Sequence, residues 1–166
     1  AASFAALRAF AAMTGEPKHN NWANRRCEEL LSMITDDGVF PEYGGFDAGY
    51  QSITLSVLNF AIDFERDPIL EAACAEGRAR LNNFLWKHSR TPDLENSRQT
   101  QYIFPSSLLA PGPNDAKAIA ETISGGLYLR PSWMDDRYCI GLTTDFLRAG
   151  LRMNEHEVSM RQDPRA

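Results

Sequence analysis

Apolar residues recur along this chain at the three- and four-residue spacing of amphipathic α-helices. With glycine and proline as stop signals, this spacing predicts about seven helices, at residues 3–13, 21–34, 50–65, 69–88, 99–109, 114–125 and 137–153. No stretch has a strand pattern with a hairpin partner. The pattern therefore predicts an all-α fold, with one domain over residues 1–153 and a polar, frayed tail over 154–166.

The connections between these helices alternate in length, and the second, fourth and sixth are the long ones. In antiparallel helical hairpins, successive connections lie at opposite ends, so the three long loops are expected at one end. We name this end the long-loop rim, formed by residues 36–50, 95–102 and 133–138 with the helix starts they contain.

The third predicted helix carries little charge, as an inner helix should, whereas the second, fourth and sixth look amphipathic, as outer helices should. These features predict part of an α/α toroid, a ring of helical hairpins whose inner helices line a cavity. About three hairpins and one helix do not close a ring, so the ring is open, a second chain completes it, or sequence is missing. The alternative is a compact helical bundle or a short solenoid.

Composition narrows the function classes. A net charge of -5 argues against a general binder of nucleic acid or anionic membrane, and no apolar run approaches the roughly 18 residues of a membrane span. The three widely spaced cysteines fit neither a disulfide framework nor a zinc site, which favours a reduced, cytoplasmic setting. No histidine pair has metal-ligand spacing and no nucleotide-binding glycine motif occurs, so neither metal nor cofactor is expected. The chain opens inside a helical pattern without a Met, as a fragment or a processed chain would.

The first rim segment, residues 36–50, is dense in glycine, aromatic residues and carboxylates. Glu42 and Asp47 would form an acid/base pair if the fold brings them together, and Tyr43 has an aromatic face suited to stacking on a sugar ring. The alternative is that Asp47 caps the third helix and that Tyr43 and Phe46 pack beneath the loop.

The other two rim segments add polar and aromatic candidates. Arg98 lies near a helix start, where it would bind a carboxylate or phosphate, or else form a salt bridge to a rim carboxylate. Tyr102 is an acid/base candidate or a core residue. Trp133 would stack on a ligand or cover the rim, and Asp136, followed by Arg137, would line the site or cap the seventh helix.

Three runs of residues resemble loop segments of α/α-toroid proteins of the heparinase II/III-like and six-hairpin-glycosidase-like groups. They are residues 37–52 with Thr14 and Gly15 upstream, residues 97–102 with Pro105, and residues 133–138. The resemblance implies a toroid with a cleft for an acidic or neutral polysaccharide. In lyases of that kind a uronate carboxylate is neutralised and the adjacent proton is abstracted by Tyr or His. Arg98 would neutralise here, and Tyr43, Tyr50 or Tyr102 would act as base or acid.

We therefore expect a carbohydrate-active domain that acts on or binds a polysaccharide, including a uronate-containing one, with lyase-like or hydrolase-like chemistry if it is an enzyme. The expected catalytic residues are Glu42, Asp47, Tyr50 and Tyr102, and the expected binding residues are Tyr43, Arg98, Trp133, Asp136 and Arg137. The alternative is a non-catalytic binding or assembly subunit, favoured by the short chain and by a rim without histidine. Expected partners are a carbohydrate or other anionic small ligand and a second chain or copy that completes the ring.

Overall fold

The computed structural model describes residues 1–42, 44–87, 103–108, 141 and 143–152, with residues 85–87 described by their backbone alone. It contains four α-helices: Ala2–Thr14 (α1), Pro17–Leu31 (α2), Ala48–Phe64 (α3) and Pro68–Lys87 (α4). Pro105–Leu108 forms a 3-10 turn, and residues 143–152 form a further helical segment, α5. Over these residues the one β feature is an isolated bridge between Glu42 and Gly45. The all-α prediction is confirmed for the described part of the chain.

The predicted boundaries of α1, α3 and α4 are confirmed to within two residues, and local chemistry explains them. Gly15 ends α1 in the left-handed conformation, with φ 67°, and its N–H donates to the Ala11 carbonyl. Asp67 caps α4 by accepting hydrogen bonds from the N–H groups of Ile69 and Leu70. Pro68 stands at the first helical position, where its missing N–H costs nothing.

The predicted start of the second helix is wrong by four residues. Pro17 is the first residue of α2, because proline fits the first helical turn. The helix also ends earlier than predicted, at Leu31, where the Ser32 hydroxyl donates to the Glu29 carbonyl at 2.7 Å. A side chain that bonds the last carbonyls competes with continuation of the helix.

The predicted helix over 99–109 is wrong for the residues described there. Ile103 and Phe104 are not helical, and the 3-10 turn begins only at Pro105. Proline disfavours a helical conformation in the residue before it, which accounts for this start. The predicted seventh helix is confirmed over 143–152, whereas the predicted helix over 114–125 and the tail over 154–166 lie outside the described residues.

Helix α3 lies at the centre of the described structure. It packs against α1, α4 and the 3-10 turn, while α2 lies mainly against α1. Segment α5 runs beside α3 in the same direction, because Asp145 meets Ser56 and Arg152 meets Asp63. This parallel direction is the one that the alternating loop lengths require of the third and seventh helices.

The burial of α3 on several sides agrees with its low charge. Apolar spacing predicts a buried face of Ile53, Val57, Phe60, Ala61 and Phe64, but only Ala61 of these is fully buried. Ile53, Val57 and Phe60 are only partly buried, and Leu55 and Leu58 are fully buried against the core. Four polar residues of α3 are also buried, and we name them together the α3 polar face: Gln51, Ser52, Ser56 and Asn59. Apolar periodicity alone would place such residues on the surface.

The loop before α3 lies directly against the backbone of α4. Gly38 has φ 77°, and a Cβ built there would lie 2.7 Å from the Glu76 carbonyl carbon and 2.9 Å from the Gly77 nitrogen. Gly77 is itself buried, and a Cβ there would lie 3.0 Å from Gln51 Nε2. Gly38 therefore permits a backbone approach that a side chain would prevent, and Gly77 leaves room for the side chains packed on it.

Replacing Gly38 by alanine should lower the free energy of unfolding by about 3 kcal/mol, from a left-handed conformation and a clash with the α4 backbone. Gly44→Ala is the matched control, because Gly44 also has positive φ, 84°, but open space around its Cβ position. It should cost only about 1 kcal/mol. Urea unfolding measures both costs, and equal costs would contradict a tight contact between the loop and α4.

Cys27 and Cys74 are buried with free thiols. Burial raises the pKa of the Cys74 thiol to about 12, with Arg78 opposing the shift. Burial also raises the pKa of Cys27, helped by the charges of Asp67 and Glu28 and opposed by Arg8. Both thiols are therefore protonated and unreactive at neutral pH.

The raised pKa of Cys74 predicts that alkali destabilises the protein. The unfolded thiol ionises near 9.0, whereas the folded thiol holds its proton until about 12, so the stabilising contribution is complete below pH 9 and is lost as pH rises toward 12. The loss should be on the order of 1 kcal/mol for each pH unit above 9. The free energy of unfolding in urea can be measured between about pH 8 and about pH 10.5. It should fall less steeply with pH for Cys74→Ala than for the unaltered chain, because alanine has no thiol to ionise. An equal pH dependence of the unfolding free energy in the two proteins would contradict the raised pKa of Cys74.

Candidate functional site

Between α2 and α3 the structure describes residues 32–42 and 44–47, and we name residues 35–42 and 44–47 the rim loop. Its first turn is closed by Thr35, whose N–H donates to the Val39 carbonyl at 3.0 Å and whose hydroxyl accepts from the Val39 N–H at 3.0 Å. The same hydroxyl donates to the Asp37 carboxylate at 2.6 Å. The backbone of this turn is thus held by bonds within the loop itself.

The middle of the rim loop is a tight turn at its exposed tip. The Glu42 N–H donates to the Gly45 carbonyl at 3.0 Å, and the Gly45 N–H donates to the Glu42 carbonyl at 3.1 Å. Gly44 takes a positive φ of 84°, which glycine adopts without steric cost. Pro41, Glu42 and both glycines are exposed. The loop therefore presents the Glu42 carboxylate to solvent from a fixed backbone.

Asp47 at the end of the rim loop caps α3, as the alternative reading of this residue predicted. Its carboxylate accepts a hydrogen bond from the Tyr50 N–H at 2.9 Å, and the residue is 5% exposed. A carboxylate at a helix N-terminus is stabilised by the unpaired N–H groups and the helix dipole. The two carboxylates of the predicted pair therefore differ in surroundings, since Glu42 is exposed and Asp47 is buried. Tyr50 is half-buried in the first turn of α3.

Two side chains of helix α4, Phe84 and Arg80, contact the rim loop. The Phe46 ring packs on Phe84 with centroids 5.1 Å apart, which confirms the prediction that Phe46 packs beneath the loop. The Arg80 guanidinium lies 5.1 Å from the Phe46 ring centroid and 3.6 Å from the Asp37 carboxylate. Both contacts lie near the surface and are worth about 1 kcal/mol or less each.

Gln51, which the sequence analysis did not select, joins the rim loop to both helices. Its carbonyl oxygen accepts from the Phe40 N–H at 2.9 Å. Its Nε2 donates to the Gly38 carbonyl at 2.8 Å and to the Gly77 carbonyl at 3.3 Å. The side chain has no exposed surface. The sequence feature that could have identified Gln51 is its position in the first turn of a helix that follows a glycine-rich loop.

The rest of the α3 polar face binds the 3-10 turn. Ser52 Oγ accepts from the Phe104 N–H at 3.2 Å, and Asn59 Nδ2 donates to the Ser106 carbonyl at 2.8 Å. The Ser106 and Ser56 hydroxyls are 2.9 Å apart. The four-residue turn, with Phe104 just before it, is thereby attached to α3 through three side chains of that helix.

Asp145 of α5 completes this cluster. Its carboxylate accepts from the hydroxyls of Ser56 and Ser106 and, at 2.9 Å, from the Ser106 N–H. Asp145 is 3% exposed, and both serines are buried. A buried carboxylate requires such donors to offset its lost hydration. These interactions hold α5, the 3-10 turn and α3 together.

The chemistry of this cluster is structural. A serine nucleophile needs an adjacent base and access to substrate, whereas Ser56 and Ser106 are buried with their hydroxyls bonded to Asp145. His19, the one histidine among the described residues, instead lies 2.9 Å from the Thr14 hydroxyl through Nδ1, at the end of α1. The repeated Ser, Ser and Asn at positions 52, 56 and 59, on the least charged helix, was the sequence signal for this face.

Two arginines fix the far end of α5 to α3. Arg148 Nη2 donates to Asp63 at 2.8 Å, and Arg152 pairs with the other carboxylate oxygen. The Arg148 guanidinium also lies 5.0 Å from the Phe60 ring centroid. Because Asp63 is partly exposed, each pair contributes modestly to stability. The pairs nevertheless fix the direction of α5.

Six of the nine predicted site residues lie outside the described residues, namely Tyr43, Arg98, Tyr102, Trp133, Asp136 and Arg137. Their predicted roles stay predictions. Within the described ranges, no three His, Cys, Asp or Glu residues group in a way that could hold a metal ion. None of the helices in that part of the chain combines the length and apolar character of a membrane span.

Comparison with known proteins gives no relative: no family model matches the chain, and neither does any curated protein or solved structure.

Replacing Asp145 by alanine should lower the free energy of unfolding by about 3 kcal/mol, because the Ser106 N–H and two hydroxyls would lose their acceptor inside the protein. Asp63→Ala is the control, since it removes a partly exposed carboxylate bonded to α5, and it should cost about 1 kcal/mol or less. Urea unfolding of both variants tests this order. An Asp145 cost no larger than the Asp63 cost would show that the cluster does not hold the three elements together.

Proposed function

We propose that this chain is part of an α/α toroid whose long-loop rim binds a polysaccharide. The observation that carries the proposal is the rim loop, which is held rigidly on its inner side and exposed at its tip. Loops that only connect helices are seldom this long or this extensively bonded. A fixed backbone that presents a carboxylate lowers the entropic cost of ligand binding.

The packing order supports the toroid part of this proposal. Hairpins α1–α2 and α3–α4 lie side by side through α1 and α3, while α2 and α4 make little contact with each other. Segment α5 also packs against α3 and runs in the same direction. In a toroid, α1, α3 and α5 would be inner helices whose starts face the rim.

The charges of the described rim favour sugar hydroxyls as the recognised groups. Asp36, Asp37 and Glu42 are exposed carboxylates, and Arg80 is already paired with Asp37. Carboxylate oxygens accept hydrogen bonds from hydroxyl groups and repel anions. Binding of a uronate polymer would require the cations Arg98 and Arg137, as the loop resemblance implies.

In this proposal Glu42 contacts the ligand, and Asp47 orients the start of α3 as its cap. Tyr50, one turn into α3, would line the site with Tyr43 and Trp133. Acid/base chemistry would fall to Glu42, with Tyr50 or Tyr102 as its partner, because Asp47 is committed to the Tyr50 N–H.

An assembly subunit without chemistry is the second candidate, and exposed apolar side chains favour it. Phe10 and Met13 of α1 are 48% and 81% exposed, and Leu147 and Leu151 of α5 are 64% and 65% exposed. These pairs lie on α1 and α5, two helical segments that each pack against α3. Exposed apolar groups of this kind mark protein contacts.

Glu42→Gln should weaken polysaccharide binding at least about tenfold, the usual cost of removing a charged hydrogen-bond acceptor. Isothermal titration with neutral xylan and glucan and with polygalacturonate would measure it, and ultraviolet absorbance would report unsaturated lyase products. Glu16→Gln is the matched control, because Glu16 is an exposed glutamate at the start of α2, the opposite end of that helix from the rim loop.

Absence of binding to all three polymers would overturn the carbohydrate proposal. Loss of a larger assembly in a Phe10→Ser, Met13→Ser, Leu147→Ser or Leu151→Ser variant, measured by light scattering, would then support the assembly subunit.

A further inference from the structure

We propose that Gln51 is the positioning residue of the rim loop, acting on a ligand it does not touch. Its buried carboxamide fixes the loop backbone between α3 and α4 and so sets how the loop presents Glu42. This inference rests on the proposed function, since it assigns a role in that same site.

The hydrogen-bonding pattern at this position calls for a carboxamide. One oxygen accepts from the Phe40 N–H, while one nitrogen donates to the carbonyls of Gly38 and Gly77. A carboxylate would lack the donors, and an ammonium group would lack the acceptor. Among the neutral side chains of this length, glutamine alone supplies both in one planar group.

The space around the carboxamide is equally restrictive. Gly77 allows the approach, because a Cβ there would lie 3.0 Å from Gln51 Nε2 and 3.1 Å from the Phe40 ring. Gly38 lies against the α4 backbone on the same side. The loop, α3 and α4 therefore meet at the Gln51 side chain, beside Leu55 and the Phe40 ring.

A short backbone segment with restricted rotation connects Phe40, which Gln51 binds, to Glu42. Phe40, whose N–H is bonded to Gln51, is followed by Pro41, whose ring restricts φ. Glu42 comes next and is held by its two backbone bonds to Gly45. Few backbone rotations separate the Gln51 carboxamide from the tip of the loop.

A purely structural role for Gln51 would lower stability without a specific effect on the rim. The experiment therefore compares Gln51→Glu and Gln51→Met with Leu58→Ala, a core substitution on the same helix, two turns further along. Gln51→Glu retains the acceptor and loses both donors, whereas Gln51→Met has similar length and loses all three bonds. Should Gln51→Met fail to fold, Gln51→Glu alone carries the comparison.

Two measurements are made on the folded variants. The first is amide hydrogen exchange at Glu42 and Gly45, whose N–H groups close the tip of the loop. The second is the affinity for whichever of xylan, glucan or polygalacturonate binds the unaltered chain. We expect at least tenfold faster exchange and at least tenfold weaker binding in the Gln51 variants. Leu58→Ala should keep both within about twofold at a comparable loss of stability in urea.

Unchanged exchange at the loop tip in the Gln51 variants, or equal effects from Leu58→Ala, would overturn the positioning role. Failure of the proposed function is recognised separately, since no polymer would then bind the unaltered chain. The exchange comparison would still show whether Gln51 positions the loop.

Discussion

The described structure depends on the enclosure of α3. This helix is covered by α1, α4, the 3-10 turn and α5, so that it cannot turn its polar side chains toward water. A buried polar group without a partner costs more than most single contacts contribute. Each residue of the α3 polar face must therefore bind a partner, and those bonds decide where the neighbouring elements lie. Gln51 fixes the rim loop, Ser52 and Asn59 fix the 3-10 turn, and Ser56 meets Asp145 of α5.

Enclosure also divides the acidic residues by role. Asp47 and Asp145 are buried, and their carboxylates are occupied by backbone N–H groups at the start of α3 and in the 3-10 turn. Glu42 is held on a tight turn with its side chain outward. The proposed function assigns this exposed carboxylate to the ligand. The proposed binding function follows from this contrast between an occupied interior and an exposed tip.

The sequence predicted a large part of the helical framework. Apolar spacing, together with stop signals at Gly15 and Pro68, located α1, α3 and α4. For Asp47 the sequence left two roles open, a catalytic one and a helix cap, and the structure has it as the cap. Helix limits were predicted wrongly where a proline can either end a helix or begin one. Pro17 both follows one helix and starts the next, and Pro105 allows only a 3-10 turn within an apolar run. In each case the choice between uses is made by backbone hydrogen bonds that residue type does not reveal.

What the sequence by itself determined is therefore the helical class, most helix limits and the unusual content of the rim loop. The tertiary structure decided which polar residues are buried. Gln51, Ser56 and Asp145 look like surface residues to any reading of hydrophobicity, yet they are enclosed by partners 26, 50 and 39 positions away along the chain. Their partners are backbone groups and hydroxyls brought together only by folding. The spacing of apolar residues indicates which positions are buried. It does not indicate which distant group will form a hydrogen bond with a buried polar residue.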